Sequence, residues 1–330
     1  GRSRNDQVSL DERLYLMRAI DRQSARIVSV QETIIKRAEE YVDAVVPSYT
    51  HLQQAQPVRL GHYLMSWFWM LERDRARFLD TFKRVDYMPL GSGAVAGSGF
   101  PVDRKFLADR LGRIAEDLII WSSSEFGFVN LPESYTTGSS MMPQKKNPDS
   151  LELVRSKTGR VYGNLMSLLP VMKGLPLSYS KDLQEDKEPL FDSLKTIDGC
   201  LRITGGVIDT LEFNTGRMEA VFDDTVFATD IADYLTEKGM PFRKAHEVAG
   251  RLVKWSVENG TGMSEIPMET FRKHSELFSD DVKKLFNLHA STDRRSIAGG
   301  TGKKALEEQI KRAKILLSDE DISSDTFKKD

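Results

Sequence analysis

Residues 6–40 contain neither glycine nor proline, and this run limits the possible folds more than any other feature of the chain. Its apolar residues Leu10, Leu14, Met17, Val28 and Ile35 fall at near-heptad spacing, the period of one helical face and not of a strand. A helix of that length extends about 50 Å, so its apolar stripe needs other long helices to cover it. The chain supplies them. A second helix is expected from Leu60 to Val85, stopped by Pro89 and the glycines after it. A third begins near Pro148, carries Leu151, Val154, Val161, Leu165 and Leu168 along one stripe, and ends at Pro170. A fourth starts around Asp186–Pro189 and continues to about Leu211. Few segments alternate like strands, so the expected class is all-α, a long-helix bundle. After Phe213 the helices shorten, to 225–238, 241–259, 267–274, 279–288 and 303–317, separated by Gly and Pro. The expected organisation is therefore a central bundle over 1–212 and a smaller C-terminal helical domain over 213–330. The polar tail 318–330 is expected to fray.

Charge and composition remove several classes of partner. Lys and Arg number 47 against 49 Asp and Glu, so no basic face for nucleic acid is expected. The richest apolar stretch, residues 63–71, is far too short to span a membrane. The single cysteine, Cys200, excludes an internal disulfide and fits a reducing, cytoplasmic setting. No signal peptide is visible, and the opening on Gly1 inside a polar segment reads as a fragment or trimmed chain. None of the five histidines stands in a metal-binding spacing, so neither metal nor cofactor is expected.

Chemistry concentrates in residues 137–153, TGSSMMPQKKNPDSLEL. Gly138 with two serines makes a hydroxyl-bearing loop, and Lys145 and Lys146 add cationic charge. Asn147 reads as the N-cap of the third helix, Pro148 as its first position and Asp149 as part of its first turn. The loop thus feeds the positive end of a long helix, which attracts a carboxylate or phosphate. On spacing alone, a capped helix behind a solvated basic loop explains these residues equally well. Arg2 and Arg4, with Ser3 and Asn5, offer guanidinium forks and neutral donors before the first helix, or simply a helix cap with surface arginines. Lys181, Gln184 and Lys187 lie three apart and can share one helical face, or form a solvated charge run. His51, between Thr50 and Gln53, sits in a polar segment ended by Pro57.

The stretch GSSMMPQKKNP is similar to the signature loop of the fumarase, aspartase and argininosuccinate lyase superfamily. GRSRNDQV at 1–8, SYTHLQQAQP at 48–57, LSYSKDLQEDKE at 177–188 and KGMPFRKAHEVAG at 238–250 resemble the argininosuccinate lyase branch in particular. That resemblance implies elimination of fumarate from argininosuccinate, leaving arginine, in arginine biosynthesis or the urea cycle. It assigns the chemistry to Ser139, Lys145, His51 and Glu152. Substrate binding falls to Ser3, Arg4, Asn5, Thr50, Asn147, Tyr179, Gln184 and Lys187. Ser139 is read as the base, Lys145 as the holder of developing charge, and His51, oriented by Glu152, as the acid; the sequence leaves the reverse assignment of acid and base open. The family also implies a homotetramer whose sites draw on three subunits.

Two departures accompany the resemblance. The family's N-terminal domain has no counterpart before GRSRND, and a few tens of residues that the family carries are missing near Gly112–Arg113, where a break in the chain is expected. Competing readings are weaker. GSGAVA at 91–96 fits a dinucleotide fingerprint but lacks a flanking strand, and GGTGKKA at 299–305 lacks the P-loop spacing. A silent δ-crystallin-like protein, or a sister lyase for adenylosuccinate or fumarate, would keep the signature loop; the retained Ser139, Lys145 and His51, with GRSRND and QEDKE, weigh against both.

Overall fold

The computed structural model describes residues 4–50, 53–86, 104–173 and 181–318, with the side chains of 4–9 and 104–109 left aside. The chain begins with helix α1 (Arg4–Glu40), followed by strands β1 (Val45–Thr50) and β2 (Gln53–Arg59) and helix α2 (Leu60–Val85). Next come α3 (Arg104–Ser122), β3 (Val129–Asn130), β4 (Thr137–Gly138), β5 (Lys146–Asn147), α4 (Asp149–Met172), α5 (Lys187–Thr210) and β6 (Glu212–Phe213). Six helices complete it: α6 (Thr215–Ala220), α7 (Ala228–Glu237), α8 (Phe242–Asn259), α9 (Met268–His274), α10 (Leu288–Asp293) and α11 (Lys303–Ser318). The all-α expectation holds: the strands are short antiparallel pairs, β1 with β2, β3 with β6 and β4 with β5.

Two compact units result, residues 1–37 with 66–213, and residues 38–65 with 214–330. Residues 38–65, read from sequence as part of the bundle, thus cluster with the C-terminal residues. In the first unit the buried stripe of α1 is Leu16, Ile20, Ile27, Val30 and Ile34, all at helical spacing. Of the stripe the sequence suggested, Ile35 is buried, Leu10, Met17 and Val28 are half-buried, and Leu14 is exposed. Trp67, Phe68 and Leu71 of α2, Leu111, Ile114 and Leu118 of α3, Leu151 and Val154 of α4, and Leu194, Ile197 and Leu201 of α5 are among the other buried residues of this unit. One buried polar cluster crosses it. The Gln31 amide donates to Glu72 at 2.8 Å, and Arg75 bonds the same carboxylate twice, at 3.0 and 2.8 Å. Such a charge is tolerable in the interior because it is paired and hydrogen-bonded. Contrary to the expected break, α3 runs as one helix through Gly112–Arg113, and a Cβ at Gly112 would lie 3.0 Å from Thr158 Oγ1 on α4.

In the second unit α7 and α8 bury Ile231, Leu235, Val248 and Leu252 with Met263, Ile266, Phe271, Phe278 and Val282. Gly260 ends α8 in the left-handed conformation at φ 59°, where other residues are strained. The segment expected as one helix over 279–288 is a 3₁₀ turn at Asp280–Leu285, then α10, whose start is capped by the Asn287 side chain on the Ala290 amide at 2.9 Å. Arg59, only 2% exposed, bonds the carbonyls of Val42 and Asp43 and the carboxylates of Asp43 and Asp293. The GGTG stretch is a turn before α11: a Cβ at Gly300 would come within 2.1 Å of the Arg295 carbonyl, so side-chain-free backbone is required there. Residues 91–96 and 319–330 lie outside the described residues.

Candidate active site

The signature stretch folds as a small hairpin leading into α4. Thr137 pairs with Asn147 and Gly138 with Lys146. This extended pairing draws Asn147 into β5, so the expected cap moves on by one residue. Pro148 is the N-cap, and its carbonyl accepts from the Leu151 and Glu152 amides at 3.0 Å each. At the neck of the loop the Ser139 amide donates to the Lys145 carbonyl at 3.3 Å. The Ser139 hydroxyl oxygen in turn accepts from the amides of Met141 and Met142, at 3.2 and 3.1 Å. Two fixed N–H dipoles therefore point at the oxygen that must carry negative charge if Ser139 loses its proton, which lowers the cost of the alkoxide.

Lys145 and Lys146 are both exposed. Lys146 forms a solvent-exposed pair with Glu133 at 3.2 Å, whereas Lys145 makes no ion pair among the described residues. Glu152 stands exposed in the first turn of α4, beside Asp149, where carboxylates suit the helix dipole. The loop tip is strongly exposed, with Met141 at 85%.

The QEDKE stretch lies in the same unit and touches α1 through Lys187. Gln184, exposed, lies in a 3₁₀ turn over Lys181–Asp186, where residues three apart align, and Lys187 opens α5. The Lys187 ammonium bonds Asp186 at 2.9 Å and pairs with Glu12 of α1 at 3.6 Å. Burial works against the ammonium, but the Asp186 hydrogen bond and the charge of Glu12 outweigh it, and the lysine pKa is raised. Burial, reinforced by the negative charge of Asp186, likewise raises the pKa of Glu12. Glu12 is absent from the sequence-derived site, and its contact with Lys187 is what marks it. Thr50 ends β1 in the second unit and is exposed, paired with Gln53 across the hairpin. Ser3, His51 and Tyr179 lie outside the described residues, as do the side chains of Arg4 and Asn5, whose backbone forms the first turn of α1. Among the described residues no group of His, Cys, Asp and Glu is placed to hold a metal, and no helix is long and apolar enough to cross a membrane.

A lyase family model matches residues 1–112 and 105–163, and an argininosuccinate lyase C-terminal model matches residues 225–293. An argininosuccinate lyase of Bacillus pumilus is 46% identical over 351 aligned positions, covering 96% of this chain and 77% of that protein. The chain belongs to the argininosuccinate lyase family. Among solved structures, an EDDS lyase in complex with formate superposes with a TM-score of 0.87 at 26% identity, covering 98% of this chain and 73% of that one. An EDDS lyase variant with bound fumarate gives 0.84 at 25%, with the same coverages. The alignment with the B. pumilus argininosuccinate lyase is longer than the 330-residue chain itself, so that relative carries residues this chain lacks. The two lyase matches meet inside α3, at the point where the missing segment was expected. There α3, α4 and α5 enclose only a water-sized void, lined by Leu111, Val154, Val161, Ile197 and Cys200 together with Lys157, Thr158 and Thr196.

Proposed function

We propose that this chain eliminates fumarate from argininosuccinate and releases arginine. The observation that carries the reading is Ser139: a family hydroxyl whose oxygen receives two backbone amides, at the neck of a loop bearing Lys145. Ser139 takes a proton from the carbon next to a succinyl carboxylate. The resulting charge spreads into that carboxylate as a dianionic, enolate-like group, and Lys145 offsets it. The electron pair held in that group then forms the fumarate double bond as the carbon–nitrogen bond breaks, and the guanidino nitrogen leaves with the bonding pair and takes a proton from an acid, assigned to His51 with Glu152 behind it. Three substrate carboxylates account for the cations elsewhere: Arg4 with Ser3 and Asn5, and Lys187 with Gln184 and Tyr179, with Thr50 and Asn147 adding neutral donors.

The active form is a homotetramer in this proposal, with residues of one site drawn from several copies. Leu153, Met166, Leu169 and Met172 of α4 are large, apolar and exposed on the single chain, which supports burial against other copies. Cys200 is buried and free, in keeping with a reducing compartment such as the cytoplasm. The test is incubation with argininosuccinate while fumarate is followed by ultraviolet absorbance, with adenylosuccinate in parallel. Fumarate from argininosuccinate alone is the expected result; none from a folded protein, or release from adenylosuccinate instead, overturns the assignment.

A further inference from the structure

We propose that Tyr135 is a positioning residue for Ser139, seated in a notch that Gly206 leaves in α5; the functional half of this rests on Ser139 being the base. The interior of α5 carries Gly205 and Gly206 side by side, although glycine in a helix interior is destabilising relative to alanine. At Gly206 the reason is visible. A Cβ built there would lie 2.0 Å from the Tyr135 hydroxyl oxygen and 2.8 Å from Cζ, so the ring occupies the space a side chain would take. Tyr135 is also tied at its backbone. Its carbonyl accepts the Ser150 hydroxyl, at the start of α4, at 2.6 Å, and its amide donates to the Pro132 carbonyl at 3.0 Å. Two residues on, Thr137 begins the pairing that brings Ser139 to Lys145. The hairpin tip itself is exposed, and its ion pair, Lys146 with Glu133, is solvated and weak. The seat of Tyr135 on α5 thus fixes where the hairpin leaves the helical core, and through it the direction of the Ser139 hydroxyl.

The test is Gly206→Ala in the full-length chain. Alanine favours the helix while the methyl expels the ring, and these opposed effects keep the melting temperature within a few degrees of wild type. Small misplacement of reacting groups costs up to about a hundredfold in rate, so kcat falls by about tenfold to a hundredfold and KM changes far less. Trypsin cleavage after Lys145 and Lys146, followed by peptide mass, accelerates in the same variant. Adding Tyr135→Phe, which deletes the atom nearest the new methyl, recovers part of both changes. Unaltered cleavage with an unaltered kcat overturns the proposal, as does a loss of kcat that Tyr135→Phe does not relieve. Because cleavage is read without substrate, the seat is tested even if argininosuccinate is not consumed, and failure of the assigned reaction stays distinguishable from failure of this inference.

Discussion

Ser139→Ala separates the chemistry from the fold. The substitution removes one acceptor, the oxygen that receives the Met141 and Met142 amides at 3.2 and 3.1 Å, from a loop whose tip is in solvent. A hydrogen bond contributes about 0.5–1.5 kcal/mol net, and here water takes the place of the lost oxygen. The two bonds together therefore amount to no more than about 1 kcal/mol, a displacement of about 2–4 °C in melting temperature. Turnover responds on another scale. General-base help is worth about a hundredfold to ten-thousandfold, equivalent to about 3–5 kcal/mol on the barrier. Fumarate release at saturating argininosuccinate, a thermal melt and calorimetric binding of substrate measure the three quantities independently. The expected pattern is a collapsed kcat, a melt within a few degrees of wild type and retained binding. Turnover within about threefold of wild type would remove the serine from the chemistry; loss of binding equal to the loss of kcat would make it a ground-state ligand.

Further substitutions test other parts of the same account. Lys145→Met lowers kcat by about a hundredfold to a thousandfold with a smaller rise in KM; a pure KM effect in steady-state kinetics would place the lysine on a resting carboxylate. Arg59→Ala costs about 2–4 kcal/mol in urea unfolding, chiefly through lost carbonyl bonds and the void behind a buried side chain, since Asp43 and Asp293 remain half-exposed; a change below about 0.5 kcal/mol contradicts that account. Hydrogen bonds from Tyr234 and Ser279, helped by Lys238, hold the Asp281 carboxyl down at about 2. A depressed carboxylate adds stability in full above its unfolded value, near 3.9, and loses it as pH falls toward about 2. Melting temperature should therefore drop less steeply between these two values in Asp281→Asn than in wild type; parallel curves refute the assignment.

Helices were legible where sequence carried both a stripe and a stop. The α2 bounds, Leu60 and Val85, match the expectation because an amphipathic run sits between Pro57 and the Pro89 break. The β1–β2 hairpin was not legible. Pro47 and Pro57 face each other in it and its outer half is polar, so no alternation marks it, and its backbone pairing is what makes it a strand pair. The buried face of α1 is only partly legible, because apolar residues occur on more than one face of that helix and packing of the whole unit decides which is buried. In the site, residue identities came from the motif, but geometry did not. The amides on Ser139, the cap at Pro148 and the tyrosine seat on Gly206 all depend on a hairpin only four paired residues in size. Glu12 carries no signal in the sequence, where a lone acid on a charged helix resembles any solvated one; only its contact with Lys187 sets it apart.

The interleaving of the two units has a consequence for how the chain is made. The first unit needs residues 1–37 and 66–213, while residues 38–65 wait for partners that lie beyond 213. A ribosome adds about 5–20 residues per second, so α1 emerges roughly 10 to 40 s before the last segment of its own core exists. No cut in the gene yields either unit as a continuous piece. Over that interval nascent α1 must be shielded, by chaperones or by transient self-association of its apolar face.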